Sequence, residues 1–260
     1  MAASAPLRLT LASLWTWGLL ALFAVLFLPL VLLWRAIGWP VDRWNYYGGR
    51  LFRHIGWFVV RGTARWKFEV RGTPPANPRH PYVVVANHES FADIIALTLL
   101  PWEMKWLSKA SIFRIPVFGW HMWAACDIAV HRGKAASAKA AMEESRKRLD
   151  GKVSVMIFPE GTRSSSAEML PFKDGAFRLA IEAGVPLLPM AIYGTREAIA
   201  KNDWRIGRSH AILEILAPEP TEGLALADLP ELKERVRQRI GEARDRLREE
   251  LRRDGVRGEN

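Results

Sequence analysis

The sequence predicts an α/β domain, a mostly parallel sheet flanked by helices, preceded by an N-terminal membrane-anchoring helical segment. Beyond residue 66, short β-branched runs alternate with helix-length stretches, the pattern of parallel strands joined by crossover helices. Two of those runs, Tyr82-Val83-Val84-Val85-Ala86 and Val153-Ser154-Val155-Met156-Ile157-Phe158, are almost continuously apolar, as strands covered on both faces must be. Residues 9–34 contain no ionisable side chain. As a helix that run spans about 39 Å, more than the hydrocarbon core of a bilayer.

The N-terminal run is too long for a signal-peptide core, and no small-x-small cleavage site follows it. A buried core helix has no need to be apolar on every face for seven turns. The formal net charge is +10, and the first 80 residues hold ten basic side chains against Asp42 and Glu69. Seven of the twelve tryptophans (Trp15, Trp17, Trp34, Trp39, Trp44, Trp57 and Trp66) share that region. Indole rings favour the headgroup level and arginine is drawn to anionic lipid, so the expected partner is an anionic membrane surface. No nucleic-acid reading motif is present, and nucleic acid is excluded as a partner. Residues 44–60 mix aromatic, apolar and arginine residues, which suits a second helix lying in the interface or a two-helix hairpin dipping into one leaflet. If the first helix spans instead, the basic excess after Trp34 puts the rest of the chain on the cytoplasmic side.

Gly72-Thr73-Pro74-Pro75-Ala76-Asn77-Pro78 marks a turn-rich entry to the soluble part. Strands are expected at residues 66–70, 82–86, 127–131, 153–158, 188–192 and 212–216. Helices are expected at 91–100, 134–149, 175–183 and 230–253. Leu232, Val236, Ile240, Leu247 and Leu251 form one apolar stripe that should pack on the domain, with Asp228 as N-cap, Glu231 three residues on and Gly255 as the stop. The expected organisation is therefore anchoring or interfacial helices over 1–62, the α/β domain over 63–226, and an amphipathic C-terminal helix over 227–260. Half the residues are hydrophobic and a quarter charged, which excludes a disordered chain. One cysteine, Cys126, excludes an intrachain disulfide and any zinc site of paired thiols.

Two motifs close two of the predicted strands. In Asn87-His88-Glu89-Ser90-Phe91-Ala92-Asp93, Ser90 is placed to cap the helix that follows and His88 stands on the strand-to-helix turn. Asp93 falls in the first helical turn, where it can accept the Nδ1 proton of His88 and leave Nε2 as a base. His88-Glu89 lacks the second histidine of a zincin helix, so no metal is expected. In Phe158-Pro159-Glu160-Gly161-Thr162-Arg163-Ser164, proline and glycine impose a turn and Arg163 presents a planar fork suited to phosphate. It is not a Walker loop, since no glycine-lysine-serine/threonine follows at the required distance.

Together the two motifs resemble the glycerophospholipid acyltransferases, particularly the bacterial 1-acyl-glycerol-3-phosphate acyltransferase type. That family is defined by four blocks. Asn87, His88 and Asp93 match its Asn-His-x4-Asp block, and Phe158 to Ser164 match its third block without a departure. Val185-Pro186-Leu187-Leu188-Pro189 resembles the fourth. The second reads Cys126-Asp127-Ile128-Ala129-Val130-His131-Arg132, keeping the arginine but carrying Ala129 and His131 where the family usually has an aromatic residue and an aspartate. The resemblance covers roughly residues 70–216. It implies transfer of an acyl group from acyl carrier protein or coenzyme A, as co-substrate and with no cofactor, to the sn-2 hydroxyl of 1-acyl-glycerol-3-phosphate. His88 would be the base and Asp93 its orienting carboxylate. No Gly-x-Ser-x-Gly elbow is present, so direct transfer without an acyl-enzyme is expected. Arg163 and Arg132 are expected on the acceptor phosphate, Glu160, Gly161 and Thr162 in the same loop, and Lys173 as a further phosphate contact. The implied location is the membrane, the inner one for a bacterial chain. Other lysolipid acceptors, and a catalytically idle lipid-binding protein, are the alternative functions.

Overall fold

The computed structural model describes residues 4–258 except 165, 167 and 201. Two helices lead, α1 (Ser4–Ile37) and α2 (Tyr46–Gly62). Then follow β1 (Trp66–Arg71), β2 (Val83–Ala86), α3 (Ala92–Leu97), β3 (Met104–Lys109), α4 (Phe118–Ala124), β4 (Ile128–Val130), α5 (Ala135–Asp150) and β5 (Ser154–Ile157). The chain ends with α6 (Gly175–Ala183), β6 (Leu187–Tyr193), β7 (Ser209–Ile215) and α7 (Leu229–Gly258).

The seven strands form one sheet in the order β1-β7-β6-β2-β5-β3-β4. From β6 to β4 every pairing is parallel, while β7 runs antiparallel to β6 and carries β1 parallel beside it. β2 lies at the centre, with Val83 in register with Val155 of β5 and Leu187 of β6. Its alternate residues serve two cores. Val83 and Val85 pack with the inner faces of α5, α6 and α7, whereas Val84 and Ala86 face Leu97, Leu100 and Trp102. Both faces being covered is what lets β2 dispense with polar residues. β2 and β5 are neighbours running the same way, so the turns that follow Ala86 and Ile157 emerge side by side.

Several expectations are corrected. β3 is a seventh strand not predicted, its sequence interrupted by Lys105 and Lys109. Lys105 is in fact fully buried, bonded to Glu103 at 2.8 Å and to the Asn45 carbonyl at 3.1 Å. α4 was not predicted either. α3 is shorter than the expected 91–100, ending at Leu97. α7 runs through Gly255, which is no stop, and the Asp228 carboxylate bonds back to the Ala225 N–H rather than capping α7. The apolar stripe of α7 does pack on the domain, with Leu232, Val236 and Ile240 fully buried.

α1 is the one described helix long and apolar enough to cross a membrane. It nevertheless touches the rest of the protein along its length. The Ile206 N–H donates to Ser13 Oγ at 2.8 Å, the Trp17 indole donates to the Trp204 carbonyl at 2.7 Å, and His121 Nε2 lies 2.7 Å from the Ala24 carbonyl. α2 is sandwiched between α1 and the domain. Glycine makes that possible: a Cβ at Gly56 would lie 1.9 Å from Thr98 Oγ1, and one at Gly49 would lie 2.2 Å from Glu103 Oε1.

Under α2 sits a buried ionic cluster. Arg53 bonds Asp127 at 2.5 Å and lies 3.7 Å from Glu103, with its guanidinium 4.0 Å from the Trp106 ring centroid. Burial opposes the charge on Arg53, but the adjacent Asp127 and Glu103 carboxylates outweigh it and hold the group above its ordinary value. The cluster ties α2 to β3 and to the start of β4. Replacing Arg53 by methionine leaves Asp127 buried without its cation, so Arg53→Met should destabilise the fold by about 3–5 kcal/mol, read as a fall in Tm of the detergent-solubilised protein. Asp127→Asn, which keeps an acceptor oxygen for the Trp106 N–H, should cost less.

Candidate active site

Asn87, the first residue after β2, continues the sheet with its side chain. Its amide donates to the Ile192 carbonyl and accepts from the Ile192 N–H, both at 2.8 Å, so the turn leaves β2 pinned to β6. His88 follows, its ring stacked on Phe158 with centroids 3.9 Å apart and 13° between planes. Asp93, fully buried near the start of α3, approaches from below. Its Oδ2 accepts from His88 Nδ1 at 2.8 Å, from the Glu89 N–H at 2.7 Å and from the Ser90 N–H at 2.9 Å. Its Oδ1 accepts from the Thr195 hydroxyl. A carboxylate so surrounded holds the proton of the imidazole on Nδ1 and leaves the Nε2 lone pair outward. α3 begins at Ala92 with Phe91 rather than Ser90 at its N-cap and no side-chain cap; Ser90 Oγ accepts from the Ala92 N–H at 3.2 Å and donates to the Ile199 carbonyl at 2.8 Å.

The turn after β5 grips His88 from both sides. Glu160 Oε1 accepts from the His88 N–H at 2.7 Å, and the Ser164 N–H donates to the His88 carbonyl at 2.9 Å. The other oxygen of Glu160 accepts from the Leu170 N–H at 2.9 Å. Burial pushes the Glu160 carboxyl above its ordinary value, and these N–H donors pull the other way. Gly161 takes a φ of +71°, which lets the turn fold under Thr162 and Arg163.

A cavity of about 320 Å3 opens above this floor. His88 lies in its wall with Arg132, Thr162 and Arg163, while Phe91, Ile94, Trp106 and Ile112 give it an apolar side. Burial, and then the neighbouring Arg163, disfavour the charge on Arg132. No carboxylate among the described residues pairs with either arginine, and the cavity lining contains none. The structure therefore brings His88, Asp93, Arg132, Thr162 and Arg163 together. Glu160, expected in the same loop, faces inward and positions the two turns, its oxygens taken by the His88 and Leu170 N–H groups. Gly161 and Lys173 line a neighbouring cavity instead of this one. One basic group in the wall went unnoticed in the sequence. Lys109 ends β3 at the cavity mouth, and the failure to predict β3 concealed it. Ala129 and His131, the departures in the second block, lie on the surface and line no part of this cavity.

A family model described as Acyltransferase matches residues 67–193. The human 1-acyl-sn-glycerol-3-phosphate acyltransferase beta is 31% identical over 194 residues, covering 72% of this chain and 69% of the relative. The chain belongs to the glycerophospholipid acyltransferase family. The human alpha relative is 36% identical over 173 residues, covering 66% of this chain and 61% of its own. The match thus spans about three fifths of that acyltransferase's length. The crystal structure of the 1-acyl-sn-glycerophosphate (LPA) acyltransferase PlsC from Thermotoga maritima superposes with a TM-score of 0.78 at 24% identity, covering 94% of this chain and 97% of that one. The acyltransferase fold is accordingly shared over nearly the whole chain, α1 and α2 included.

In Glu160→Gln the amide NH2 must face either the His88 or the Leu170 N–H, which loosens one turn from the other. The expected result is a kcat about tenfold to a hundredfold lower, with KM for both substrates nearly unchanged in steady-state kinetics.

Proposed function

We infer that the protein transfers an acyl group from a thioester to the free sn-2 hydroxyl of 1-acyl-glycerol-3-phosphate, giving phosphatidate. The observation that carries this reading is a buried, carboxylate-oriented imidazole opening on a cavity whose wall holds Arg132, Arg163 and Lys109. The glycerol phosphate of such an acceptor is short, so its hydroxyl and its phosphate must be served within one cavity. Relatives named for this acceptor support the assignment.

The geometry suggests a sequence of steps. His88 Nε2 removes the hydroxyl proton as the oxygen attacks the thioester carbonyl, and Asp93 stabilises the imidazolium that results. The tetrahedral intermediate collapses, the carbon–sulfur bond breaks, and the thiolate leaves with the proton returned by His88. A new carbon–oxygen ester bond forms and no group is oxidised or reduced. Phe158 holds the imidazole ring flat throughout.

The acceptor and product reside in lipid, and moving a methylene of either into water costs about 0.8 kcal/mol. α1 answers this need by lying across the domain while Leu11, Leu14, Trp15, Leu22, Val25 and Leu26 stay exposed on its outer side. Contacts from Ser13 to Ala24 favour a hairpin in one leaflet over a helix that departs through the bilayer. Ile115, Trp120 and Trp123 around α4 extend the same exposed apolar surface. Arg35 over Trp39 and Arg61 over Trp57 set guanidinium groups at its rim, suited to the anionic leaflet of the cytoplasmic side.

His88→Ala should abolish phosphatidate formation while leaving membrane attachment and the overall fold intact; turnover retained in that variant removes the base assignment. Arg163→Ala should raise the acceptor KM by about tenfold or more and the donor KM far less, and equal losses would contradict a phosphate contact. Trp120→Ala/Trp123→Ala should show less quenching of its remaining tryptophan fluorescence by brominated lipid than the unaltered protein, because the most exposed indoles outside α1 among the described residues are gone.

A further inference from the structure

Beside the catalytic cavity lies a second one, of about 370 Å3, which the proposed acceptor chemistry leaves unused. The two share a partition made of Leu107, Arg132 and Phe158. Phe158 is the ring on which His88 stacks, so the second cavity starts one side chain away from the base. Val130, Met142, Ile157 and Ala176 make its walls apolar, and His131, Lys134 and Lys173 stand at its rim. No aspartate or glutamate lines it. The acid next in sequence, Asp174, is bonded to Lys233 at 2.7 Å. The basic groups of α7 are largely neutralised, as with Arg235 and Arg239 on Glu219, whereas no ion pair among the described residues engages His131, Lys134 or Lys173. Lys173 is held over the Phe158 turn: its N–H donates to the Pro159 carbonyl at 2.9 Å, and its Nζ lies 2.7 Å from where a Gly161 Cβ would stand. The first turns of α5 and α6 also face the cavity, adding their partial positive charge.

An apolar trough ending in unneutralised cations fits an elongated ligand with an anionic far end. The acceptor phosphate is too close to its own hydroxyl to reach past Phe158. The donor has the right shape, because in a phosphopantetheine thioester a chain of amide and methylene units separates the sulfur from the phosphate. We propose that this second cavity binds the phosphopantetheine arm of the acyl donor, with Lys134 and Lys173 on its phosphate and Arg132 between the two substrates. This rests on the thioester-dependent reading above and names where its donor lies. Both coenzyme A and acyl carrier protein present that arm.

The test uses the full chain in detergent. Lys134→Glu/Lys173→Glu, two exposed positions, should raise the donor KM about tenfold or more and leave the acceptor KM within about twofold. A larger rise in the acceptor KM, or no change in either, overturns the assignment. Binding is read separately on His88→Ala protein, which does not depend on turnover. Coenzyme A and free 4′-phosphopantetheine should both bind, and both should weaken in the double charge reversal. Coenzyme A binding without phosphopantetheine binding would mean recognition of the nucleotide and overturn the proposal. If the unaltered protein fails to acylate lysophosphatidate while these binding results hold, the acceptor reading fails and the donor cavity stands.

Discussion

A carboxylate stripped of water is tolerable only when its lone pairs are answered by donors, and Asp93 is answered four times over. Three of those donors come from its own turn and one from Thr195, a residue brought in from beyond β6. The arrangement serves two ends with one set of bonds. It makes the buried charge stable, and it converts the turn around His88 into a rigid frame that presents Nε2 in one direction. Much of the remaining architecture exists to bring these donors within reach, beginning with the central position of β2 in the sheet.

The partner turn after β5 contributes by constraint rather than by chemistry. Parallel neighbours deliver their carboxyl ends to the same edge, so the peptides that follow β2 and β5 meet without any long-range loop. Glu160 and Ser164 then hold the two peptide groups of His88. His88 is thereby fixed at its side chain by Asp93 and at its backbone by the neighbouring turn. What stands free above is basic, with Arg132, Arg163 and Lys109 unpaired by any carboxylate among the described residues.

Where each residue type speaks for itself, the sequence was readable. Val83 to Ala86 declared a doubly covered strand, and the separation of His88 and Asp93 declared a carboxylate folded back on a ring. The apolar stripe from Leu232 to Ile240 declared a packed helix. The miss that mattered most, β3, comes from charge that looks solvated in one dimension and is buried in three. Arg53, Glu103, Lys105 and Asp127 neutralise one another across α2, β3 and the approach to β4. No local pattern announces such a cluster, and with β3 hidden, Lys109 at its end was hidden as well. Nor does the sequence show how Glu160 is used: both of its oxygens are taken by backbone N–H groups of two separate turns.

Glu89 adds a connection across the whole chain. Its carboxylate, pushed above its ordinary value by burial and drawn back by the guanidinium it meets, bonds Arg244 of α7 at 2.7 Å. The turn that bears His88 therefore depends on Ile192, Thr195 and Arg244, all of which leave the ribosome long after it. Because chains emerge from the N-terminus at a finite rate, α1 and α2 are available to lipid while the residues that complete the histidine frame have yet to be synthesised. α1 and α2 are thus complete before the frame around His88 can close.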